Sequence, residues 1–563
     1  MPGSSDAVLR YHDGTKHQFQ QFARSLGYLD WASQPAPFRS FAGAPCFPLF
    51  PAPEAPLADY RPRAVSFEEV FEPSESPPPI TAPAIGDLLR HALGLSAWKA
   101  IGRGTGRETR WSLRCNPSSG NLHPTEAYVV SGSLPGLSDS PAVYHYAPDR
   151  HVLELRCAID SRAWSEHARG RDDWLLVALT SIHWREAWKY GERAFRYCQH
   201  DLGHAMAALV ASASAVGWRA CLVPEWPQAS LAALTGIDRD EDFVDVEREE
   251  PSCLMAIGQG DVPGAFVESH DGLTAAVRAG EWFGRASQLS EHHVQWSFID
   301  EVAEATRDGG RECPPPSLAQ FRASFGGPAA ALAKAGSASA RTTADARSMF
   351  LQRRSAVAFD GVSSIPRETF LSMLSAVMPH DSAPWSALWW TPRIHLALFV
   401  HRVDDVVPGL YLLPRDREAV ASLRASMTRD FLWETAAPDI PLVCLARGDA
   451  QRLAARVSCD QEIAADGFFS LGMIAAFDSS LHECGPSFYR HLFWEAGFVG
   501  QILYLEAEAA GARATGIGCY YDDPVHDVLG LKDHAFQSLY HFTVGTPVED
   551  TRLTTMPGYT WEG

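Results

Sequence analysis

At 563 residues the chain is too long for one ordinary core and should divide into at least two large domains. Its 46% hydrophobic and 21% charged residues are typical of a globular protein, and a formal net charge of −20 argues against a binder of nucleic-acid backbones. No apolar run is long enough to cross a bilayer, which argues against a membrane partner.

The start, MPGSSDAVLRYHDGTK, has no basic region followed by an apolar core, so no signal peptide is expected. Eleven cysteines lie singly with no Cys-x-x-Cys, a pattern that reads as reduced thiols in a cytoplasm, with neither a disulfide framework nor a zinc site. Proline-rich stretches punctuate residues 1–80 as an N-terminal segment and linker. A first folded unit is expected over 81–300, a Pro/Gly/Ala/Ser linker over 301–345, and a second unit over 346–563.

Within the first unit, a basic loop carries Arg103, Arg107, Arg110 and Arg114, read as a solvated loop or as a receiver of an acidic group. The turn Pro117-Ser118-Ser119-Gly120-Asn121 follows, directly ahead of a strand-like run. Small hydroxyls and a glycine bring backbone N–H groups close to an anion or a ring edge, or simply make an Asx- or Ser-type turn. Further on, HWREAWKYGERAFRY holds Lys189-Tyr190 ahead of a long alanine-rich helix. His292-His293 lack ligand spacing and read as surface residues. In the second unit, Arg353-Arg354-Ser355 puts two guanidiniums and a hydroxyl together, a set suited to phosphate oxygens. Trp385, Trp389 and Trp390 read as core, and Gly516-Ile517-Gly518 follows a second long helix as a loop whose glycines permit positive φ.

The two units echo each other. Phe195–Ala220 aligns without a gap on Tyr489–Ala514 at an offset of 294, with Arg196/Arg490, Gly203/Gly497, Leu209/Leu503, Gly217/Gly511 and Arg219/Arg513 among the identities. Flanking strand-like blocks match in the same order, which reads as a tandem duplication. Gly203 and Gly497 fall inside helices, where glycine costs about 1 kcal/mol relative to alanine, so close backbone approach between the two copies is expected. The helix, strand, strand, helices, strand order of each unit makes the fold class α+β.

The blocks NPSSGNLHPTEAYVV, WKYGERAFRYCQHDLGHA, QRRSAVAFDG, ATGIGCYYDDPVHDVLGL and HFTVGTPVEDTRL resemble the nitroreductase superfamily of flavin enzymes, specifically its SagB-type (ThcOx-like) dehydrogenases. The resemblance implies tandem nitroreductase-like, FMN-binding domains forming an intramolecular pseudo-dimer, a monomeric chain included. It implies that Arg353, Arg354 and Ser355 grip the FMN phosphate or ribityl chain, that Arg552 adds a second phosphate cation, and that Gly516, Ile517 and Gly518 lie by the ring. It also implies that Pro117, Ser118, Ser119, Gly120 and Asn121 reach FMN held mainly by the other unit. Because each unit keeps only one set of these parts, one composite FMN site per chain is expected. Lys189-Tyr190 resembles the Lys-Tyr pair of azoline oxidases, in which a base takes a proton while flavin takes hydride. The implied function is an FMN-dependent dehydrogenation of a small-molecule or peptide-derived substrate. The alternatives are an NAD(P)H-dependent nitro- or quinone-type reductase and a flavin-free scaffold or regulatory protein.

Overall fold

The computed structural model describes residues 4–49, 60–102, 108–168, 173–260, 270–311 and 343–562. Helix Ser4–Gly14 (α1) opens the chain. The first unit runs through helix Ala82–Ala92 (α2) and strands Leu95–Ile101 (β1), Thr109–Arg114 (β2), Thr125–Ser131 (β3), Ala142–Ala147 (β4), Val152–Ala158 (β5) and Trp174–Ser181 (β6). It continues through helices His183–Tyr190 (α3) and Ala194–Val216 (α4) and strands Arg219–Leu222 (β7) and Glu250–Gly258 (β8). Helix Ser297–Ala305 (α5) crosses the boundary that the sequence placed at 300. The second unit comprises helix Ala346–Gln352 (α6), strands Ile394–Val400 (β9), Gly409–Leu413 (β10) and Phe469–Ala476 (β11), and helix Phe488–Ala509 (α7). Strand Arg513–Ile517 (β12), helix Asp522–Leu529 (α8), and strands Phe536–Gly545 (β13) and Leu553–Met556 (β14) complete it.

Five strands of each unit pair antiparallel in the same spatial order, β4-β3-β6-β8-β7 in the first and β10-β9-β11-β13-β12 in the second. Both faces of these sheets are buried, which is why the strands read as nearly continuous apolar runs. Alternate residues still serve different cores. Ala127 and Val129 of β3 face the core that spans both units, while Tyr128 and Val130 face an outer core. In β9, Leu396 and Leu398 face the shared core and Ala397 and Phe399 an outer one.

At the centre lie α4 and α7. A Cβ on Gly203 would stand 2.2 Å from the Trp494 carbonyl oxygen and 2.9 Å from Gly497 Cα. A Cβ on Gly497 would stand 2.2 Å from the His200 carbonyl oxygen. Trp494 is the residue 294 positions after His200, so the contact is reciprocal across the two copies. Each helix ends earlier than the aligned sequence blocks, and the block's last residues turn into β7 and β12. Gly217, at φ 101°, accommodates the first of these exits.

The N-terminal segment packs onto the two units. Helix α1 packs on α5, and its Tyr11 and Val8 join the shared core. Phe41–Ala42 pairs with Arg285–Ala286, and Cys46–Pro48 pairs with β5. Near the other end of the chain, β14 crosses to the first unit and pairs with β1, which pairs with β2. Among the described residues nine cysteines are free, but Cys484, buried at the end of helix Phe477–Cys484, is disulfide-bonded, which corrects the expectation of uniformly reduced thiols. Among the described residues no helix is long and apolar enough to cross a membrane.

The helix contact makes a sharp prediction. Gly203→Ala sets a methyl against backbone that cannot yield like a side chain, so it should destabilise the fold by about 2–4 kcal/mol, read as a lowered midpoint in denaturant. An unchanged midpoint would contradict the close approach.

Candidate active site

The loop after β2 turns at Gly120 and Asn121, with φ of 59° and 60°. A Cβ on Gly120 would come 2.6 Å from the Tyr190 hydroxyl and 3.1 Å from Lys189 Nζ, so conformation and space both demand glycine. The α4 helix clamps this loop from behind. Ser119 donates its N–H and its hydroxyl to Asp201 Oδ1 at 3.0 and 3.1 Å. Ser118 Oγ accepts the His123 N–H at 2.7 Å, and Asn121 Nδ2 donates to the Ser112 carbonyl at 2.9 Å. The serine and asparagine side chains thus shape the loop from within.

The second piece arrives at the end of α6, which packs on α2, α4 and β1 of the first unit although it belongs to the second by sequence. Buried Arg353 donates from Nε to the Cys115 carbonyl and from Nη2 to the Arg114 carbonyl, both at 2.9 Å. Arg354 donates from Nη1 to Ser96 Oγ at 3.0 Å. Burial lowers both guanidiniums, Arg354 to about 10. Ser355 Oγ lies 2.9 Å from the Tyr504 hydroxyl, which also accepts the Gly516 N–H at 2.8 Å.

The third piece differs from the loop expected at 516–518. Gly516 and Ile517 end strand β12, opposite Phe542 and His541 of β13, and neither Gly516 nor Gly518 has positive φ. Glycine is needed there for approach: a Cβ at 516 would lie 1.9 Å from the Tyr540 hydroxyl, and one at 518 would lie 2.2 Å from a Tyr197 ring carbon.

These pieces enclose one cavity of about 390 Å³, a size that suits a cofactor. Pro117 to Asn121, Arg353 to Ser355 and Gly516 to Gly518 all line it, with Tyr190, Tyr197, Asp201, His204, Tyr504 and Tyr540. Lys99, Arg114 and Arg513 add cations. Arg552 is not among the lining residues. It is exposed and pairs with Asp550 at 2.7 Å, which corrects its expected phosphate role; Arg513, at the start of β12, lines the cavity instead. Five buried polar atoms on the lining residues have no partner: Arg114 Nε, Asn116 Oδ1, His123 Nδ1, His204 Nδ1 and Arg353 Nη1. Buried polar atoms are normally paired, so this set calls for a polar ligand carrying both donors and acceptors.

Lys189 and Tyr190 end α3. Tyr190 lines the cavity, whereas Lys189 is exposed with its Nζ 5.2 Å from the Tyr190 ring centre. Behind them lie two buried carboxyls that the sequence reading missed. Burial raises Glu186 well above the carboxylate range, and the charge of Asp201 raises it further. Burial also raises Asp201 to about 7, against the pull of hydrogen bonds from Ser118 and Ser119. At neutral pH the pair therefore keeps a proton on Glu186. Burial and the Arg353 charge hold His204 at about 3, so it is neutral and its Nε2 meets the Tyr540 hydroxyl at 3.1 Å. Tyr197, Asp201 and His204 sit at i, i+4 and i+7, on one face of the first half of α4. Polar groups at that spacing in YCQHDLGH were the available signal.

Other sequence candidates fall elsewhere. His292 and His293 are exposed, and Trp385 and Trp390 belong to the shared core. Arg110 stacks on Trp98 at 4.6 Å, while Arg103 and Arg107 lie outside the described residues.

The position equivalent to this cavity in the other half is filled. Leu222, Val223 and Pro224 stand 294 positions before Gly516, Ile517 and Gly518, and with Trp226, Trp389, His491 and Trp494 they leave a space of about 20 Å³. Glu495, the counterpart of Asp201, accepts the Arg393 and Ile394 N–H groups and the Trp390 indole N–H, so it clamps its own loop in the same way.

Residues 76–259 match the family model described as the nitroreductase family. A putative nitroreductase of Methanocaldococcus jannaschii is 25% identical over 150 residues, which is 25% of this chain and 69% of that protein. The crystal structure of a putative nitroreductase from Anabaena variabilis superposes at a TM-score of 0.66, covering 96% of this chain and 99% of that one at 20% identity. The first unit is thus a nitroreductase-family domain, and the whole chain has a fold that occurs in that family. The match places a nitroreductase-family domain within residues 76–259, and the likeness over the rest of the chain is one of fold.

The raised carboxyl has a consequence for stability. Asp201 titrates near 3.8 when unfolded and near 7 when folded, so the folded state binds its proton more tightly. The stability this gives is full below about 3.8 and is lost as pH rises through about 7. Asp201→Asn should flatten the fall in unfolding free energy between pH 5 and pH 8, by an amount on the order of a few kcal/mol, read from denaturant titrations across that range. Parallel curves for variant and parent would refute the assignment.

Proposed function

We propose that the two halves act as an intramolecular pseudo-dimer with one composite FMN site, and that the enzyme is a dehydrogenase of the SagB type acting on a small-molecule or peptide-derived substrate. The observation that carries the single-site reading is the shared cavity: residues 117–121 and 353–355, distant in sequence and from different units, face one space, while its mirror position is packed with tryptophan. Arg353, with its unpartnered Nη1, and Arg354 are the groups for the phosphate, aided by Lys99. Gly120, Gly516 and Gly518 let Tyr190, Tyr540 and Tyr197 close against the backbone, and these tyrosines line the cavity as walls for a flat ring.

FMN, when bound, supplies the two-electron chemistry. The protein's part is to orient it, exclude water and move protons. The Tyr190 hydroxyl and Lys189 Nζ both reach the Gly120 turn, where a substrate proton would be taken, and Lys189, an exposed residue, can pass it to solvent. Glu186 keeps its proton on a buried oxygen behind them and so adds no second negative charge beside Asp201. This division of labour favours dehydrogenation beside a heteroatom, where a base and a hydride acceptor act together.

The purified protein should carry one FMN per chain; a ratio of two would overturn the single site. Arg353→Ala should weaken FMN binding at least tenfold, about 1.5–3 kcal/mol for a charge-assisted bond, measured by fluorescence titration. Unchanged affinity would remove Arg353 from the site.

A further inference from the structure

Beyond the glycine segment, the cavity wall continues into Cys519, whose Sγ lies 2.8 Å from Cys459 Sγ and 3.7 Å from His17 Nδ1. The three residues come from three parts of the chain: the N-terminal segment, the end of helix Gln451–Val457, and the residue pair after β12. Their meeting is built rather than incidental. Gln461 Nε2 donates to the carbonyls of Ser458 and Cys519 at 2.8 and 2.9 Å, and the Tyr521 N–H donates to the Val457 carbonyl at 2.8 Å. The His17 and Asp522 segments exchange hydrogen bonds, His17 N–H to Asp522 Oδ2 at 2.8 Å and Asp522 N–H to the His17 carbonyl at 2.9 Å. Cys459 and Asp460 both hold left-handed backbone, at φ 56° and 55°, a conformation that costs non-glycine residues energy.

We propose that Cys459 and Cys519 form a reversible disulfide that exchanges two electrons with flavin in the adjoining cavity. The electron partner rests on the flavin reading above; the thiol pair does not. Both thiols are partly exposed, so neither is an inert core cysteine. Hydrogen bonds from Cys459 and from His17 hold Cys519 down at about 5 against burial, and the same contact raises Cys459. One partner is thus a thiolate and the other a thiol, the pairing from which a disulfide forms. The balance is simple. The Cys519 thiolate, the Cys459 thiol and oxidised flavin become one S–S bond and the reduced flavin anion; the thiol's proton and the two electrons pass to the flavin. The reverse step discharges reduced flavin.

The same three atoms, all within 4.8 Å of one another, could be taken for a metal-ligand set. The sulfur separation argues otherwise. Two thiolates on tetrahedral zinc, with bonds of about 2.3 Å, stand about 3.8 Å apart, well beyond the 2.8 Å seen here.

The test uses the air-equilibrated, flavin-loaded protein and Cys459→Ser, which leaves the cavity lining intact. Anaerobic dithionite titration should require two more electrons per chain for the parent than for the variant. A non-reducing peptide map should show a Cys459–Cys519 link that disappears after treatment with a thiol reductant. Equal electron uptake with no linked peptide, even after diamide, would overturn the proposal. So would stoichiometric zinc that shields both thiols until a chelator removes it. A linked peptide with equal uptake would overturn the exchange with flavin. A linked peptide in protein that shows no visible flavin absorbance, even after FMN is added, would overturn the flavin reading and the electron partner named here.

Discussion

Everything at the candidate site depends on how closely two helices can approach. With backbone in contact at Gly203 and Gly497, α4 and α7 sit near enough for residues of one unit to complete a cavity in the other. Tyr197, Asp201 and His204 come from α4 and Tyr504 from α7, and all four line the same space. A larger residue at either glycine would push the helices apart by the width of a side chain, and the cavity would lose its wall. Alanine-rich composition around the glycines serves the same end, because dispersion contacts between small side chains reward closeness.

A second constraint is the acid clamp. Asp201 and Glu495 each hold a loop by accepting its backbone N–H groups, yet the outcomes differ. In one half the clamped loop is small and leaves space; in the other, Trp389 with Trp226 and Trp494 closes it. The acids are treated differently as well. Glu495 is neutralised by buried Arg415, whereas Asp201 has only hydrogen bonds and keeps its raised titration point. The two halves thus differ here without a change of fold, by bulk in one loop and a counter-ion for its clamp.

Much of this was legible in the sequence. The repeat, the glycine contact and the complementary pieces of the cavity could be read because each leaves a local mark: an ungapped alignment, a glycine inside a helix, a small-residue turn. What escaped was set by long-range geometry. Asp201 and Glu186 look like ordinary helix polars until burial is known. Arg552 and Arg513 are equally basic in sequence, and only the path of β12 and β14 decides which one reaches the cavity. Gly516 and Gly518 were read as conformational glycines, but what requires them is two tyrosine rings brought in from elsewhere. The N-terminal segment looked detachable because proline-rich composition hides the contacts of the few residues that do dock.

The pairing of β14 with β1 carries an implication for biosynthesis. Trp98 on β1 donates its indole N–H to the Gly558 carbonyl, 460 residues further along the chain. Until that late segment emerges from the ribosome, β1 presents an open edge of the kind that recruits foreign strands. The first unit therefore has to wait, partly unguarded, through synthesis of the whole second unit. Covalent fusion makes the eventual partner unavoidable, but it also makes a nascent or truncated chain a natural client for chaperones.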